Sequence, residues 1–161
     1  MKKVVTFGEV MVRLAPSEHY RFAQSCPGSM DLTFGGAESS VAASISMLGG
    51  SSRFVSALPQ HAIADAFVSQ MRGFKVDVDH VLRREAGRFG IYYVETGANQ
   101  RPSRVIYDRD YSAVSICSGE EYDWDAIFAD AQWLHISGIT LAISETAAHA
   151  AILAAGKAQA A

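Results

Sequence analysis

The 161-residue sequence has little cysteine and no long apolar run. Its two cysteines, Cys26 and Cys117, lie far apart and form no CxxC motif, which excludes a secreted disulfide scaffold and predicts unpaired thiols in a reducing compartment. No stretch approaches the roughly 20 apolar residues of a membrane span. The apolar run after Lys2 and Lys3 ends at Gly8, too early for the ~7–15-residue core of a signal peptide. These absences predict a cytoplasmic protein that has no membrane partner.

Charge of neither sign dominates the sequence. Fourteen basic and seventeen acidic residues give a net charge of −3 and a pI near 5.9, which offers no general footprint for nucleic acid or an anionic membrane. The GxGxxG and GxxxxGK(S/T) nucleotide-binding motifs are missing, and none of the five histidines has metal-ligand spacing. The length and the hydrophobic content of 49% are those of one globular domain.

What the sequence does contain is an alternation of apolar strands and amphipathic helices. Residues 3–7 are apolar and β-branched and stop at a glycine, which is typical of a buried strand. Val41, Ile45 and Leu48 recur on one face of a predicted helix over 37–48, which Gly49-Gly50 ends. Similar patterns predict strands at 53–57 and 133–136, a helix through Ile63, Phe67 and Met71 up to Gly73, a short helix capped by Asp123, and a helix from Ser144 onward. This order predicts a mainly parallel α/β sheet flanked by helices.

Two segments, at about 9–34 and 88–110, interrupt this alternation. The extended pieces within them lie at 9–14, 30–34, 89–96 and 104–108. The last two pieces are rich in aromatic and β-branched residues and flank a loop of turn residues at 97–103, which predicts a hairpin. We expect these pieces to form a second, smaller sheet off the main core.

Five residues are candidates for ligand contacts. Gly35 and Gly36 stand where a strand meets a helix, so they either admit a ligand to the backbone or serve turn geometry alone. Tyr107 and Arg109 lie two residues apart and share one strand face, and a turn near the middle of the hairpin loop places Tyr92 opposite them. The guanidinium suits a carboxylate or a phosphate, and the two phenols suit sugar hydroxyls, but spacing alone also allows an ordinary surface hairpin.

Several segments resemble a known family. Residues 35–42 (GGAESSVA), followed by Leu48-Gly49, resemble the first signature of the ribokinase-like (PfkB) carbohydrate kinases, and residues 5–9 are similar to that family's first strand. Within the family the resemblance is closest to the 2-keto-3-deoxygluconate kinases. The segments that carry it are residues 90–93 (GIYY), 100–103 (QRPS), 105–109 (VIYDR) and 134–139 (LHISGI).

The resemblance implies a ribokinase-like α/β fold with a small β-sheet lid, and a sugar held between the lid and the core. Gly35 and Gly36 would contact the sugar through the backbone, Tyr92 and Tyr107 would line the pocket from the lid, and Arg109 would hold the substrate's carboxylate. The implied reaction transfers the γ-phosphoryl group of ATP, with Mg²⁺, to the 6-hydroxyl of 2-keto-3-deoxygluconate. Lids of this family often pair between subunits, so a homodimer is expected.

Three departures from the family pattern stand out. Ser40 occupies a position where the family usually has Asn, and residues 58–65 stand where relatives often carry Gly-Asp-Asp. The family's Gly-Ala-Gly-Asp motif, which supplies its anion hole and catalytic base, is absent.

The end of the sequence falls inside a predicted helix, and only three core strands precede it, which leaves a long open sheet edge. We therefore expect residues 1–161 to be the N-terminal part of a ribokinase-like kinase domain. The missing C-terminal half would carry the catalytic aspartate and bind most of the ATP and Mg²⁺, so this chain alone would be inactive. The alternatives are a ribokinase-like kinase for another sugar or a nucleoside, and a non-catalytic sugar-binding module complete at this length.

Overall fold

A computed structural model of the chain describes residues 2–161. The strands are β1 (Lys3–Phe7), β2 (Met11–Ala15), β3 (Asp31–Gly35), β4 (Ser52–Val55), β5 (Ala57–Pro59), β6 (Leu82–Arg84), β7 (Gly90–Glu95), β8 (Arg104–Asp108) and β9 (Ala131–His135). The α-helices are α1 (Phe22–Ser25), α2 (Ala37–Met47), α3 (Ala62–Gly73), α4 (Trp124–Phe128), α5 (Gly138–Ala142) and α6 (Glu145–Ala160), with 3₁₀ turns at Val114–Ile116 and Gly119–Glu121. Within the described residues, no helix combines the length and the apolar character that crossing a bilayer requires.

The main sheet has the strand order β4-β1-β9, and both pairings are parallel, as predicted. Two strand boundaries differ from the prediction. The single strand expected at 53–57 divides at Ser56, whose carbonyl accepts a hydrogen bond from Leu82 (2.9 Å), so that β5 leaves the main sheet and pairs with β6. The third strand begins at Ala131 rather than at residue 133, because the Lys3 amide already bonds to the carbonyl of Asp130 (2.9 Å).

A second sheet, called the small sheet below, has the strand order β3-β2-β7-β8. Strands β7 and β8 form the predicted antiparallel hairpin, and Tyr92 lies directly opposite Tyr107. Strand β2 pairs with β3 antiparallel and with β7 parallel, which joins the two interrupting segments of the sequence. The prediction of a separate sheet outside the parallel core is therefore confirmed.

Two hydrophobic cores hold the molecule together. One lies between the main sheet and helices α4 and α6, where Phe7 meets the edges of Tyr122 and Trp124 at 5.3 Å between ring centroids. The other includes residues of the small sheet and of α3, and here Phe67 packs edge-on against Phe34 and Phe54. Because Phe34 belongs to β3, the second core anchors the base of the small sheet to the rest of the molecule.

Helix α2 does not bury the face that its apolar spacing predicts. Leu48 is 88% exposed, and the buried positions are Glu38, Ser39, Ala42 and Ser46. The reason is local hydrogen bonding and small side chains: the Ser46 and Ser52 hydroxyls lie 2.8 Å apart, and Ser52 also donates to the carbonyl of Ala42 at 2.7 Å. A face of Ala and Ser lets α2 approach the sheet closely. The apolar spacing therefore predicted the wrong buried face for this helix.

The other helices follow local signals more closely. The Asp123 side chain caps α4 by accepting from the amide of Ala126 (3.1 Å), as the sequence predicted. The helix predicted from Ser144 onward is α6, and Ser144 caps it by accepting from Ala147 (3.0 Å). In α3, Phe67 and Met71 are buried as expected, but Ile63 is exposed. Helix α5 was not predicted from the sequence.

Candidate functional site

The register of the small sheet gathers the predicted side chains on one face. Tyr92 and Tyr107 are direct partners across β7 and β8, and their ring centroids lie 6.1 Å apart. The guanidinium carbon of Arg109, just beyond the end of β8, lies 5.7 Å from the centre of the Tyr107 ring. We call Gly35, Tyr92, Tyr107 and Arg109 the tyrosine–arginine patch. The sequence-predicted proximity of the three side chains is thus present in the structure.

Glycine at positions 35 and 36 is explained by the lack of room for a Cβ atom rather than by a backbone conformation that only glycine adopts. Neither has a positive φ, and Gly36 is extended at −170° where it caps α2. A Cβ on Gly35 would lie 2.2 Å from the hydroxyl of Tyr92, and one on Gly36 would lie 2.5 Å from the carbonyl oxygen of Glu9. Turn geometry alone therefore does not account for these glycines. They let the hydroxyl of Tyr92 and the carbonyl of Glu9 approach the backbone closely, next to the unpaired amides of the first turn of α2.

Glu9 is a site residue that sequence reasoning missed. It is 5% exposed, and its Oε2 accepts a charge-assisted hydrogen bond from Nη2 of Arg109. Among the described residues, Glu9 Oε1 and Arg109 Nε have no hydrogen-bond partner. Glu9 lies just beyond the carboxyl end of the central parallel strand, where α/β proteins place ligand sites, and that position was the available signal.

Burial raises the pKa of Tyr92, Arg13, its register partner on β2, acts in the opposite direction, and Tyr107 adds to the increase. A tyrosine is already protonated at neutral pH, and the raised pKa of Tyr92 extends this to higher pH. Its phenol can therefore donate or accept a hydrogen bond.

A cleft of about 550 Å³ opens beside the patch. Arg109 lines it on the small-sheet side, and α5 and the start of α6 form the opposite wall. The lining residues are Arg109, Asp110, Tyr111, Ser115, Ile116, Ile139, Ala142, Ile143, Ser144 and Thr146. The guanidinium of Arg109, which lines this cleft and lies beside Tyr107, can bind a small polar anion and orient it.

Metal ligands are not part of this arrangement. No group of three or more His, Cys, Asp or Glu side chains among residues 2–161 is placed to hold a metal ion.

The two departures from the family pattern that fall within the chain serve the starts of helices. Ser40 is exposed in the first turn of α2, where its amide bonds to the carbonyl of Gly36 (3.0 Å). In the segment at 58–65, His61 caps α3 by accepting from the amide of Ala64 through Nδ1 (3.3 Å), and its ring stacks on Phe89.

Comparison with known proteins decides the family. The pfkB family of carbohydrate kinases matches residues 1–161, the whole length of the chain. The chain belongs to this family. The resemblance drawn from the glycine signature at 35–42 is therefore confirmed, and so is the ribokinase-like α/β fold.

The pfkB chain is similar to enzymes that act on sugar acids. It is 39% identical to 2-dehydro-3-deoxygalactonokinase of Haloferax volcanii over 144 residues, which cover 89% of this chain and 44% of that protein. It is 30% identical to 2-dehydro-3-deoxygluconokinase of Thermoproteus tenax, with coverages of 77% and 38%. The crystal structure of 2-dehydro-3-deoxygluconokinase from Thermotoga maritima superposes with a TM-score of 0.94 at 42% identity, covering 99% of this chain and 48% of that one. The chain spans about half the length of the curated relatives it matches.

Proposed function

We propose that residues 1–161 form the acceptor-binding part of a sugar-acid kinase. The complete enzyme transfers the γ-phosphoryl group of ATP to 2-keto-3-deoxygluconate, also called 2-dehydro-3-deoxygluconate. The observation that carries this proposal is the position of Arg109, a guanidinium at the mouth of a cleft and beside two tyrosines. Arginine recognises carboxylates through paired N–H donors, which suits a sugar acid better than a neutral sugar.

Each residue of the patch has a proposed role. Gly35 and Gly36 contact the sugar through the backbone of the strand-to-helix turn, and a side chain at either position would collide with Tyr92 or with the backbone of Glu9. Tyr92 and Tyr107 contact sugar hydroxyls from the small sheet, which acts as a lid formed by about 9–34 and 88–110. Arg109 pairs with the substrate's carboxylate through the N–H groups that Glu9 does not occupy.

Phosphoryl transfer depends mainly on positioning and charge stabilisation. The groups described above position the acceptor, and the described residues form no cluster for a divalent cation. We therefore propose that ATP and Mg²⁺ are bound mainly by residues outside this chain, together with the catalytic aspartate. Residues 1–161 alone are then expected to bind the sugar acid without phosphorylating it.

One observation favours a second candidate, a kinase of the same family for a neutral sugar or a nucleoside. The charge of Arg109 is already compensated by Glu9, so a neutral ligand would leave no unpaired guanidinium. A non-catalytic sugar-binding module is the third possibility, and it predicts a reading frame that stops at this length.

The decisive experiment uses the complete reading frame that contains residues 1–161. Its product is assayed for ATP-dependent phosphorylation of 2-keto-3-deoxygluconate, of the galactonate epimer, and of fructose, ribose and adenosine as neutral acceptors. We expect a preference for the two sugar acids. A preference for a neutral acceptor supports the second candidate, and a frame that ends at residue 161 with no transfer supports the binding module.

Two further proposals concern assembly and compartment. We propose that the small sheet pairs with that of a second subunit, since all of β8 is exposed at its edge. We also propose a cytoplasmic location, which the two free thiols, Cys26 and Cys117, support.

A further inference from the structure

Glu38 is a buried carboxylate with an unusual set of partners. It lies in the first turn of α2, is 2% exposed, and accepts three hydrogen bonds on the single atom Oε1. The donors are the amide of Ser137 (2.8 Å), the hydroxyl of Ser137 (2.6 Å) and the hydroxyl of Thr140 (2.8 Å). These partners lie about 100 residues further along the chain, at the start of α5.

A carboxylate is costly to bury unless its charge is compensated. No lysine, arginine or histidine of residues 2–161 pairs with Glu38, so hydrogen bonds and the N-terminal end of α2 carry this compensation. The hydrogen bonds offset the energetic cost of burying the Glu38 charge only if their donors are held in one geometry. A hydrophobic side chain would fill the space and leave Ser137 and Thr140 unanchored.

Gly8 makes room for this arrangement at the end of β1. A Cβ on Gly8 would lie 2.3 Å from the carboxyl carbon of Glu38 and 2.7 Å from the hydroxyl of Thr140. The end of β1, the first turn of α2 and the start of α5 therefore meet at one carboxylate. This meeting point lies at the carboxyl end of the parallel sheet, on the same side as the tyrosine–arginine patch.

Helix α5 packs against α6, and the contact with Glu38 additionally fixes it to α2. Thr140 is the one buried residue in its five-residue span, and Thr140 donates to Glu38. The same helix supplies Ile139 and Ala142 to the wall of the cleft. On the other side, Gly36 caps the helix that carries Glu38 and borders the patch.

We infer that Glu38 is a positioning residue for the acceptor site. It ties the α5 wall of the cleft to the first turn of α2, next to the glycine turn at 35–36, and so fixes where that wall stands relative to the tyrosine–arginine patch. This inference rests on the proposed function for its ligand, but the tie between α5 and α2 stands on the contacts alone. Glu38 itself does not need to touch the sugar.

The test compares Glu38→Gln with Thr140→Val. The first removes the charge at nearly constant shape, and the second removes one donor and keeps the volume. Amide hydrogen exchange of residues 138–143 and the Kd for 2-keto-3-deoxygluconate are measured on the complete protein, below its melting temperature. We expect each variant to speed exchange in this segment and to weaken binding, both by about tenfold, since each loses a charge-assisted hydrogen bond.

Asp130→Asn is the matched control, because it removes a charged contact at the opposite end of the sheet. It should lower stability while leaving exchange at 138–143 and sugar affinity unchanged. If Glu38→Gln and Thr140→Val lower stability but leave both the exchange rates and the Kd at the wild-type values, Glu38 is structural only and the inference is wrong. If the wild-type protein does not bind the sugar acid, the proposed function fails, and the exchange rates alone decide the role of Glu38.

Discussion

At the residue scale, Gly35 matters because it lets a neighbouring side chain approach the backbone, and not because glycine has a more flexible backbone. Gly35 does not have a positive φ, and a larger residue there would collide with the hydroxyl of Tyr92. We expect Gly35→Ala to push Tyr92 away from Tyr107 and to weaken sugar-acid binding about tenfold or more, since displacements of about 1 Å are costly in oriented sites. Isothermal titration of the complete protein with 2-keto-3-deoxygluconate measures this change.

The chain contains its own control for this substitution. Gly73, the last residue of α3, has no heavy atom within 4 Å of an added Cβ. Gly73→Ala should leave the Kd unchanged and raise the free energy of unfolding by about 0.5 kcal/mol, because Ala is the better helix former. Equal affinities in both glycine variants would show that the space above Gly35 is unimportant for binding.

Arg109 carries the prediction that bears most directly on the substrate. Arg109→Ala should lower kcat/KM for the sugar acid by roughly 30- to several-thousand-fold, the usual cost of truncating one partner of a charge-assisted pair. The loss should lie mainly in KM, because the carboxylate is distant from the reacting hydroxyl. Arg109→Lys should recover part of it, since an ammonium keeps the charge without the planar fork.

The role of Arg109 is tested by the ratio of kcat/KM for the sugar acid to kcat/KM for the neutral sugar. The preference for the sugar acid over the matching neutral sugar is measured for the wild type and both variants at fixed ATP and salt. A ratio that stays constant while overall activity falls would contradict the role of Arg109 as the carboxylate partner.

Some residues of the candidate site could be predicted from the sequence and others could not, for a physical reason. Tyr92, Tyr107 and Arg109 were predictable because strand alternation and a single turn set which side chains share a face. Glu9 and Glu38 were not, because their burial depends on partners about 100 residues away, which no local pattern encodes.

At the scale of elements, a network of charges joins β1, β4 and the residues before β9. Lys3 contacts Asp77 at 3.1 Å and Asp130 at 2.6 Å, and the buried Arg53 contacts the same two carboxylates at 2.9 Å each. The hydrogen bond from Lys3 lowers the pKa of Asp130, and Arg53 lowers it further. Burial raises the pKa of Asp77, but hydrogen bonds from the Asp79 amide, Lys3 and Arg53 outweigh it, so that pKa also lies below its ordinary value.

Lowered carboxyl pKa values make folding stability depend on pH in one direction. The stability that Asp77 and Asp130 contribute is fully present above their unfolded pKa, about 3.9, and is lost as the pH falls through the lower folded values. We expect Asp130→Asn to reduce the free energy of unfolding by about 1 kcal/mol at pH 7, a modest value because Asp130 is half exposed. Urea unfolding at pH 7 and at pH 3 measures both effects.

The wild type and Asp130→Asn should converge in stability at the acidic end of this range. A difference between them that persists unchanged at pH 3 would mean that the carboxylate charge is not what stabilises this edge of the sheet.

Some helices and strands could be predicted from the sequence better than others. The hairpin of β7 and β8 was found because β-branched and aromatic residues flank a loop of turn residues. The buried face of α2 was not, because serines that hydrogen-bond into the sheet carry no apolar signal. Helix α5 is five residues long and is anchored by a tertiary contact, so its sequence alone gives little helical periodicity.

At the scale of the whole molecule, the small sheet has two faces of different chemistry. One face carries Tyr92 and Tyr107 beside Arg109, and the other carries an apolar row across all four strands. The row consists of Leu32, Leu14, Tyr93 and Ile106, which are register partners. Its two ends, Leu32 and Ile106, are about half exposed, so burial of this row is the structural basis of the proposed pairing between subunits.

We expect Ile106→Glu to shift the complete protein from dimer to monomer, because the substitution would bury a charge in the apolar contact between the paired sheets. Ile152→Glu is the matched control, since Ile152 is as exposed as Ile106 but lies on α6, away from the small sheet. Sedimentation equilibrium at micromolar to high micromolar concentrations distinguishes the two. Because the apolar row faces away from the tyrosine–arginine patch, the monomeric variant should keep its affinity for the sugar acid. A wild-type protein that sediments as a monomer across this range, or an Ile106→Glu variant that stays dimeric, would show that the apolar row is not the contact between subunits.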